Sequence, residues 1–370
     1  MADLLHRYED VFSKGEFDVG CTRVIEHRID TGPHRPVRQA LRRHPVAYSN
    51  AIDEYVENLC EQDMIEPSKG PWCSNIVVVR KKDGRLRLCV DYRALNTRTY
   101  YDSYPLPNID ATLDALAGSS WYCTLDLRSG YHTVVIAEED RDKTQFITRR
   151  ETFRYKRMPF GLSTAPDTFQ RLMDLVMCGL SYESVLIYLD DLIITGCSFK
   201  QLVERFATVL YRLCAANLKL NCRKCSLFRR KISFLRHIIS AAGIKVQPEK
   251  TEIVSNWPVP TSLTVLRSFL GLASYYRRFI CGLIVAAPLY LLMRKGQRFH
   301  RDTEQQQAFD ELKIRLTTAP VLASPSSTLT YYLDTDASEF GLGVVLSQEQ
   351  DGDEHVISYS SRSLKTAERS

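Results

Sequence analysis

Nothing in this 370-residue chain stays apolar for long. Apolar runs such as 184–189 and 192–195 are short and split by acids, and no run in the sequence is long enough for a membrane-spanning helix. No signal peptide precedes Leu4, and neither an internal repeat nor a low-complexity tract is present. Cysteine is not scarce, but eleven residues, an odd count without a regular spacing, fit reduced thiols in an intracellular protein better than a secreted disulfide scaffold. The most telling absence is of acid. Between Glu204 and Glu249 there is no Asp or Glu, while Arg205, Arg212, Lys219, Arg223, Lys224, Arg229, Arg230, Lys231, Arg236 and Lys245 all fall inside. Phosphate is the natural counter-charge for such a run, and a solvated basic face is the alternative.

What is present is ordinary in bulk. Hydrophobic residues at 44% and charged residues at 25% rule out wholesale disorder, and the length exceeds one hydrophobic core, so two to four packed subdomains are expected. The chain to about Arg43, with Gly32, Pro33 and Pro36, reads as an extended lead-in of little regular structure. Ile52, Val56, Leu59 and Met64 recur at helical spacing before Pro67. Residues 75–82 and 85–91 flank Asp83-Gly84, a hairpin signal, and the second arm alternates Arg85 and Arg87 with Leu86 and Leu88, giving one basic and one apolar face. A helix is expected over 107–117, stopping at Gly118, then strands over 121–127 and 131–137. Ser163 is the expected N-cap of a helix burying Phe169, Leu172, Met173 and Val176, and a further helix over 199–217 buries Leu202, Phe206, Val209, Leu210 and Leu213. Helices over 261–280 and 303–318 follow, then a linker marked by Pro320 and Pro325 and three antiparallel strands over 328–336, 341–347 and 356–360. Alternating strands and helices imply an α+β fold.

The segment 184–195 is the most unusual: a strand, Asp190-Asp191, and a second strand. Aspartate is common in turns for its backbone hydrogen bonds, but turn acids normally sit among polar neighbours. These two interrupt Leu186, Ile187, Leu189, Leu192, Ile193 and Ile194. Two carboxylates beside such a core repel each other and resist desolvation, so a cation is the expected compensation, with Lys or Arg partners as the alternative. Asp126, near the end of the 121–127 strand, can point at the same place. Phosphoryl transfer to a hydroxyl can use two divalent ions roughly 3.5–4 Å apart, and Mg²⁺ needs only a few convergent hard oxygens.

At these residues the sequence resembles a reverse transcriptase of the gypsy-like LTR retrotransposon group, through Tyr188-Leu189-Asp190-Asp191 and Leu125-Asp126-Leu127-Arg128-Ser129-Gly130-Tyr131. The similarity runs on through Asp10-Val11-Phe12-Ser13 and residues 81–96, 158–170, 267–279 and 336–348. The resemblance implies a right-hand polymerase with a lead-in at 1–48, fingers and palm at 49–217, a thumb at 218–257, a connection at 258–325 and an incomplete RNase H-like sheet at 326–370. It implies RNA-directed DNA polymerase activity on RNA or DNA templates, with Asp126, Asp190 and Asp191 as catalytic and metal-binding residues and the Leu127 carbonyl near the second of two Mg²⁺ ions, Mn²⁺ being the alternative metal.

Carried over motif by motif, Lys81 and Arg87 match the basic residues that meet the incoming dNTP, and Tyr131 matches the aromatic gate that crowds a ribonucleotide 2′-hydroxyl. Pro159-Phe160-Gly161 matches a template-contacting loop, so Phe160 and Gly161 are template candidates; plain core packing is the alternative for Tyr131 and Phe160. Leu235 and Arg236 lie in the matched primer-holding hairpin, where the family usually has Gly in place of Arg236. A side chain there either contacts a primer phosphate or obstructs the turn. Cys222 and Cys225 form a C-x-x-C without a second ligand pair, so zinc is not expected. Asp336 in Thr335-Asp336-Ala337-Ser338 matches the first RNase H metal ligand; its partners would lie beyond Ser370, and RNase H activity is not expected of the chain as given. The implied partners are RNA template, DNA primer or RNA–DNA hybrid, dNTPs and the remaining Pol polyprotein domains, with no membrane. The implied location is intracellular: cytoplasmic virus-like particles and the nucleus. A polymerase-fold protein that binds nucleic acid without chemistry, a defective or host-adopted copy, is the rival reading.

Overall fold

The computed structural model describes residues 2–15, 18–80, 86–116, 118–181, 184–294, 296–297, 299–300, 302–326, 328–338, 341–364 and 368, with the side chain of residue 87 outside the description. The chain divides into two compact units. The first comprises Met1–Asn108 and Cys123–Phe228, the second Ile109–Tyr122 and Arg229–Ser370.

Two larger sheets, of four and five strands, dominate the first unit. One runs in the order Ser226–Arg229, Trp121–Asp126, Asp191–Gly196, Val185–Tyr188. It is backed by the helices Ala165–Val176 and Phe199–Ala215, whose apolar stripes bury Phe169, Leu172 and Met173 on one and Leu202, Phe206, Val209, Leu210 and Leu213 on the other. Ser198 caps the second helix, its Oγ accepting from the Gln201 N–H at 3.2 Å, and Asn217 at φ +53° ends it in the left-handed geometry typical of a helix stop. The other sheet has five strands in the order Ile65–Pro67, Thr152–Tyr155, Phe146–Ile147, Ser74–Arg80, Leu86–Val90. Its hairpin pairs Ile76 with Val90 and Arg80 with Leu86 as the sequence pattern requires. The Asp83-Gly84 turn lies outside the described residues.

Three local expectations are corrected. The lead-in is not merely extended: it carries the helix Ala2–Arg7 and the strand Thr22–His27, which pairs in parallel with Val134–Ile136. Buried Asp140 fixes the next segment by accepting from the Ile29 N–H at 2.8 Å, a partner 111 residues away that no local pattern reveals. Residues 131–137 are not one strand. Ser129 at φ +46° starts a 3-10 turn over Gly130–Thr133, and only Val134–Ile136 is extended. Ser163 is not the N-cap, because the helix starts at Ala165 after Thr164, with Pro166 in its first turn and the Ser163 N–H held by Asn96 Oδ1 at 3.0 Å.

The second unit contains the helix Ile109–Asp114 and a meander of Lys231–Phe234, His237–Ser240 and Gly243–Val246. The helices Pro248–Ser255, Leu263–Tyr275 and Thr303–Thr317 follow. Arg278, only 8% exposed, is neutralised by Asp114 at 2.8 Å and Asp110 at 3.5 Å. The final meander, Tyr331–Ala337, Gly341–Gln350 and Asp353–Ser363, is antiparallel as expected, and Asp351-Gly352 turns it with φ of +57° and +90°.

Phe206 is fully buried and meets Phe228 edge-on at 5.3 Å. Phe206→Ala is expected to cost about 4 kcal/mol, seen as a lower urea midpoint by circular dichroism.

Candidate active site

The hairpin of the first unit pairs Tyr188 with Asp191, so its two-residue loop is Leu189-Asp190 and Asp191 already belongs to the second strand. This shifts the expected turn by one residue and separates the roles of the two acids. Leu189 is held at φ +55° despite its Cβ, and its N–H is taken by Oε1 of Gln170 at 3.1 Å. Gln170 is 1% exposed, so the loop is fixed from the neighbouring helix by a buried amide. Neither Gln170 nor its role was legible in the sequence, because the partner lies 19 residues away.

Asp190 turns inward. Its Oδ1 is buried without a hydrogen-bond partner, and burial, then Asp191, then Asp126, push its pKa up to about 6, with Lys224 acting the other way. Asp191 is raised for the same reasons, burial first and then Asp126. Asp126 ends its strand as expected; its main-chain carbonyl accepts from the Asn221 N–H at 2.8 Å, which ties the strand end to the chain after residue 217. Lys224 Nζ lies 3.0 Å from Asp126 Oδ2. The lysine alternative raised by the sequence therefore operates for Asp126, while the buried oxygen of Asp190 keeps no such partner. The three carboxylates feel one another's charge, yet among the described residues no three His, Cys, Asp or Glu side chains are grouped tightly enough to cage a metal. The donor chemistry, carboxylates with one unsatisfied buried oxygen, suits a hard divalent cation.

The surroundings are tight. A Cβ on Gly130 would sit 2.7 Å from Phe169 Cζ and 3.0 Å from Asp190 Oδ1, so only glycine lets Asp190 pack where it does. Tyr131 lies 5.2 Å from Phe160 and 5.4 Å from Phe169, ring centre to ring centre. Its hydroxyl is pushed up to about 12 by burial and then by the negative charge of Asp190.

With this geometry in view, two family models match. Residues 79–239 match reverse transcriptase (RNA-dependent DNA polymerase), and residues 302–370 match the RNase H-like domain found in reverse transcriptase. Residues 79–239 belong to the reverse transcriptase family. It is 35% identical over 374 residues to the retrovirus-related Pol polyprotein from transposon 297 of Drosophila melanogaster, covering 99% of this chain and 35% of that protein. The Pol polyprotein from transposon gypsy of the same organism is 32% identical over 386 residues, covering 99% and 37%. The chain thus spans little more than a third of these relatives. Among solved structures, the foamy viral protease-reverse transcriptase in complex with RNA/DNA hybrid aligns at TM-score 0.85 and 22% identity, covering 100% of this chain and 50% of that one. A form of the same viral protein in complex with double-stranded DNA aligns at 0.90 and 22%, covering 100% and 65%. The fold is that of a reverse transcriptase, and the α+β expectation holds.

The remaining candidates are placed as follows. Leu127 is buried directly after Asp126. Gly161 sits at φ +97°, and its carbonyl accepts from Asn96 Nδ2 at 2.9 Å. Lys81 lies outside the described residues; Arg87 is in the strand Leu86–Val90, paired with Val79. In the second unit Leu235 and Arg236 form a hairpin loop, and exposed Asp336 lies on the strand Tyr331–Ala337 opposite Gly343. The basic run divides in use. Arg205, Arg212 and Lys219 donate to backbone carbonyls, and Arg230 stacks on Trp121 at 3.8 Å. Arg223, Arg229, Lys231 and Arg236 are exposed. All eleven cysteines are free thiols. Among the described residues no helix is long and apolar enough to cross a membrane.

Because the folded pKa of Asp190 is raised, the native state holds a proton that the unfolded chain has lost, and stability falls as pH rises from about 4 to about 6. Asp190→Asn is therefore expected to stabilise the metal-free protein at pH 7 by on the order of 2 kcal/mol and to flatten that limb, measured by urea unfolding across pH. A midpoint equal to or below wild type at pH 7 would contradict the charge repulsion.

Proposed function

We propose that this chain is an RNA-directed DNA polymerase, extending a primer with deoxynucleoside triphosphates on RNA and DNA templates. The observation that carries the reading is the unpartnered buried oxygen of Asp190, set beside Asp191 and Asp126 on a fixed hairpin in a reverse transcriptase fold. In this reading Asp126, Asp190, Asp191 and the Leu127 carbonyl hold two Mg²⁺ ions, with Mn²⁺ able to replace them. When bound, such ions activate the primer 3′-hydroxyl and offset the charge of the departing pyrophosphate.

The protein's own groups do the rest. The Gln170 amide and the absence of a side chain at Gly130 keep the Asp190 carboxylate aimed in one direction, so little reorganisation is needed when charge develops. Tyr131, its ring steadied by Phe160 and Phe169, forms a wall beneath the sugar that excludes a 2′-hydroxyl. Lys81 and Arg87 meet the triphosphate, and Phe160 and Gly161 border the template. Leu235 and Arg236 hold the primer end. Residues 49–217 serve as fingers and palm, 218–257 as thumb, 258–325 as connection and 326–370 as part of an RNase H-like sheet, with Asp336 its first metal ligand. An RNA–DNA hybrid or duplex DNA, as named for the foamy viral structures, is the corresponding partner here, held by phosphates and sugars more than by base edges. Other Pol polyprotein domains are partners by continuity with the relatives. Free thiols suit a reducing interior, in cytoplasmic particles and the nucleus.

On a primed homopolymer RNA with Mg²⁺, wild type is expected to extend the primer and Asp190→Asn to lose at least about a thousandfold, the scale of several kcal/mol of transition-state stabilisation. Duplex affinity by fluorescence anisotropy is expected to stay within about twofold while falling steeply with salt. Equal loss of extension and affinity in the variant, or binding without extension in wild type, would overturn the proposal.

A further inference from the structure

The hairpin of Lys231–Phe234 and His237–Ser240 pairs Phe234 with His237, so Leu235 and Arg236 alone make the loop. Their φ values are +43° and +63°, the left-handed pair that two-residue hairpin loops use and that Asn-Gly normally supplies. Neither residue is Gly, Asn or Asp, so local sequence disfavours the geometry found. The loop is compensated from outside. Tyr275 Oη donates to the Leu235 carbonyl at 2.7 Å, and Tyr276 Oη donates to the Arg236 carbonyl at 3.4 Å, where the Gln247 N–H also arrives at 3.4 Å. Both loop carbonyls are therefore held by consecutive phenols at the end of the helix Leu263–Tyr275. Tyr276 is 1% exposed, and burial pushes its hydroxyl up to about 12, so it remains a donor. The His237 ring, buried behind the loop, stacks on Tyr275 at 5.7 Å and Phe279 at 5.4 Å and meets Tyr276 edge-on at 5.5 Å. The exposed Arg236 guanidinium lies over the Tyr275 ring at 5.8 Å.

We propose that Tyr275 and Tyr276 are positioning residues for the primer: they hold a glycine-free loop in its left-handed shape and thereby present Arg236 to a primer phosphate. The inference rests on the reading of Leu235 and Arg236 as the primer-holding loop. It explains how a side chain stands where the family usually has glycine. The loop need not be intrinsically left-handed when two hydroxyls fix its carbonyls, and the guanidinium gains a phosphate ligand's place over an aromatic face.

The test uses the full chain with Tyr275→Phe, alone and combined with Leu235→Gly, which supplies the left-handed preference locally and keeps Arg236. Tyr275→Phe is expected to raise KM for primer–template about fivefold to tenfold with kcat within twofold, and to weaken recessed-end duplex binding by a similar factor. Leu235→Gly in that background is expected to restore both to within about twofold of wild type. An unchanged KM, absence of rescue, or a fall in kcat matched by general loss of folded protein would overturn the brace. If wild type extends primers and Tyr275→Phe leaves KM unchanged, only the brace fails. If wild type fails to extend, the polymerase reading fails, and the brace is still judged by duplex binding and its rescue.

Discussion

A carboxylate forced into an apolar hairpin tip is the constraint around which the first unit is organised. Asp190 cannot be both charged and buried at low cost, and Asp191 and Asp126 worsen its position by repulsion. The fold does not relieve this by exposing the side chain or by giving its inner oxygen a donor. It relieves part of the local charge through Lys224 on Asp126 and leaves the rest in place. Stability sacrificed at one point in this way is characteristic of sites whose charge is meant for a ligand.

Several otherwise unrelated features follow from holding that carboxylate still. Gln170, buried on the helix Ala165–Val176, takes the Leu189 amide and so sets the loop; Phe169 on the same helix packs against Tyr131 and over Gly130. The 3-10 turn at Gly130–Thr133 sets Tyr131 against Phe160 and Phe169. Asp126 is tied to the segment after residue 217 by its own backbone carbonyl. The site is thus assembled from four stretches of chain, each fixed by a main-chain hydrogen bond or by packing.

The second unit shows the same tactic without a charge. Its Leu235-Arg236 loop is held in an unfavourable backbone shape by side chains more than 35 residues further on, just as the Leu189 loop is held by Gln170. In both hairpins the strained residue carries a Cβ and the compensation comes from a helix. Local propensity was overridden by tertiary hydrogen bonds, and the overridden positions coincide with those proposed for chemistry and primer contact.

Pattern alone determined the strands beside Asp190, the stripe of the helix Phe199–Ala215, the paired arms around residue 83, the final antiparallel meander and the kinship to reverse transcriptases, because periodicity and short motifs are local properties of the chain. It could not show the one-residue shift of the Asp190 loop, the 3-10 turn beneath Tyr131, the lead-in strand beside Val134–Ile136 or the consumption of Arg205, Arg212 and Lys219 by backbone carbonyls. Each of these depends on a partner distant in sequence. Only the folded chain decided which oxygen of which aspartate would be buried without a donor, because desolvation and repulsion are properties of the packed surroundings rather than of the residue.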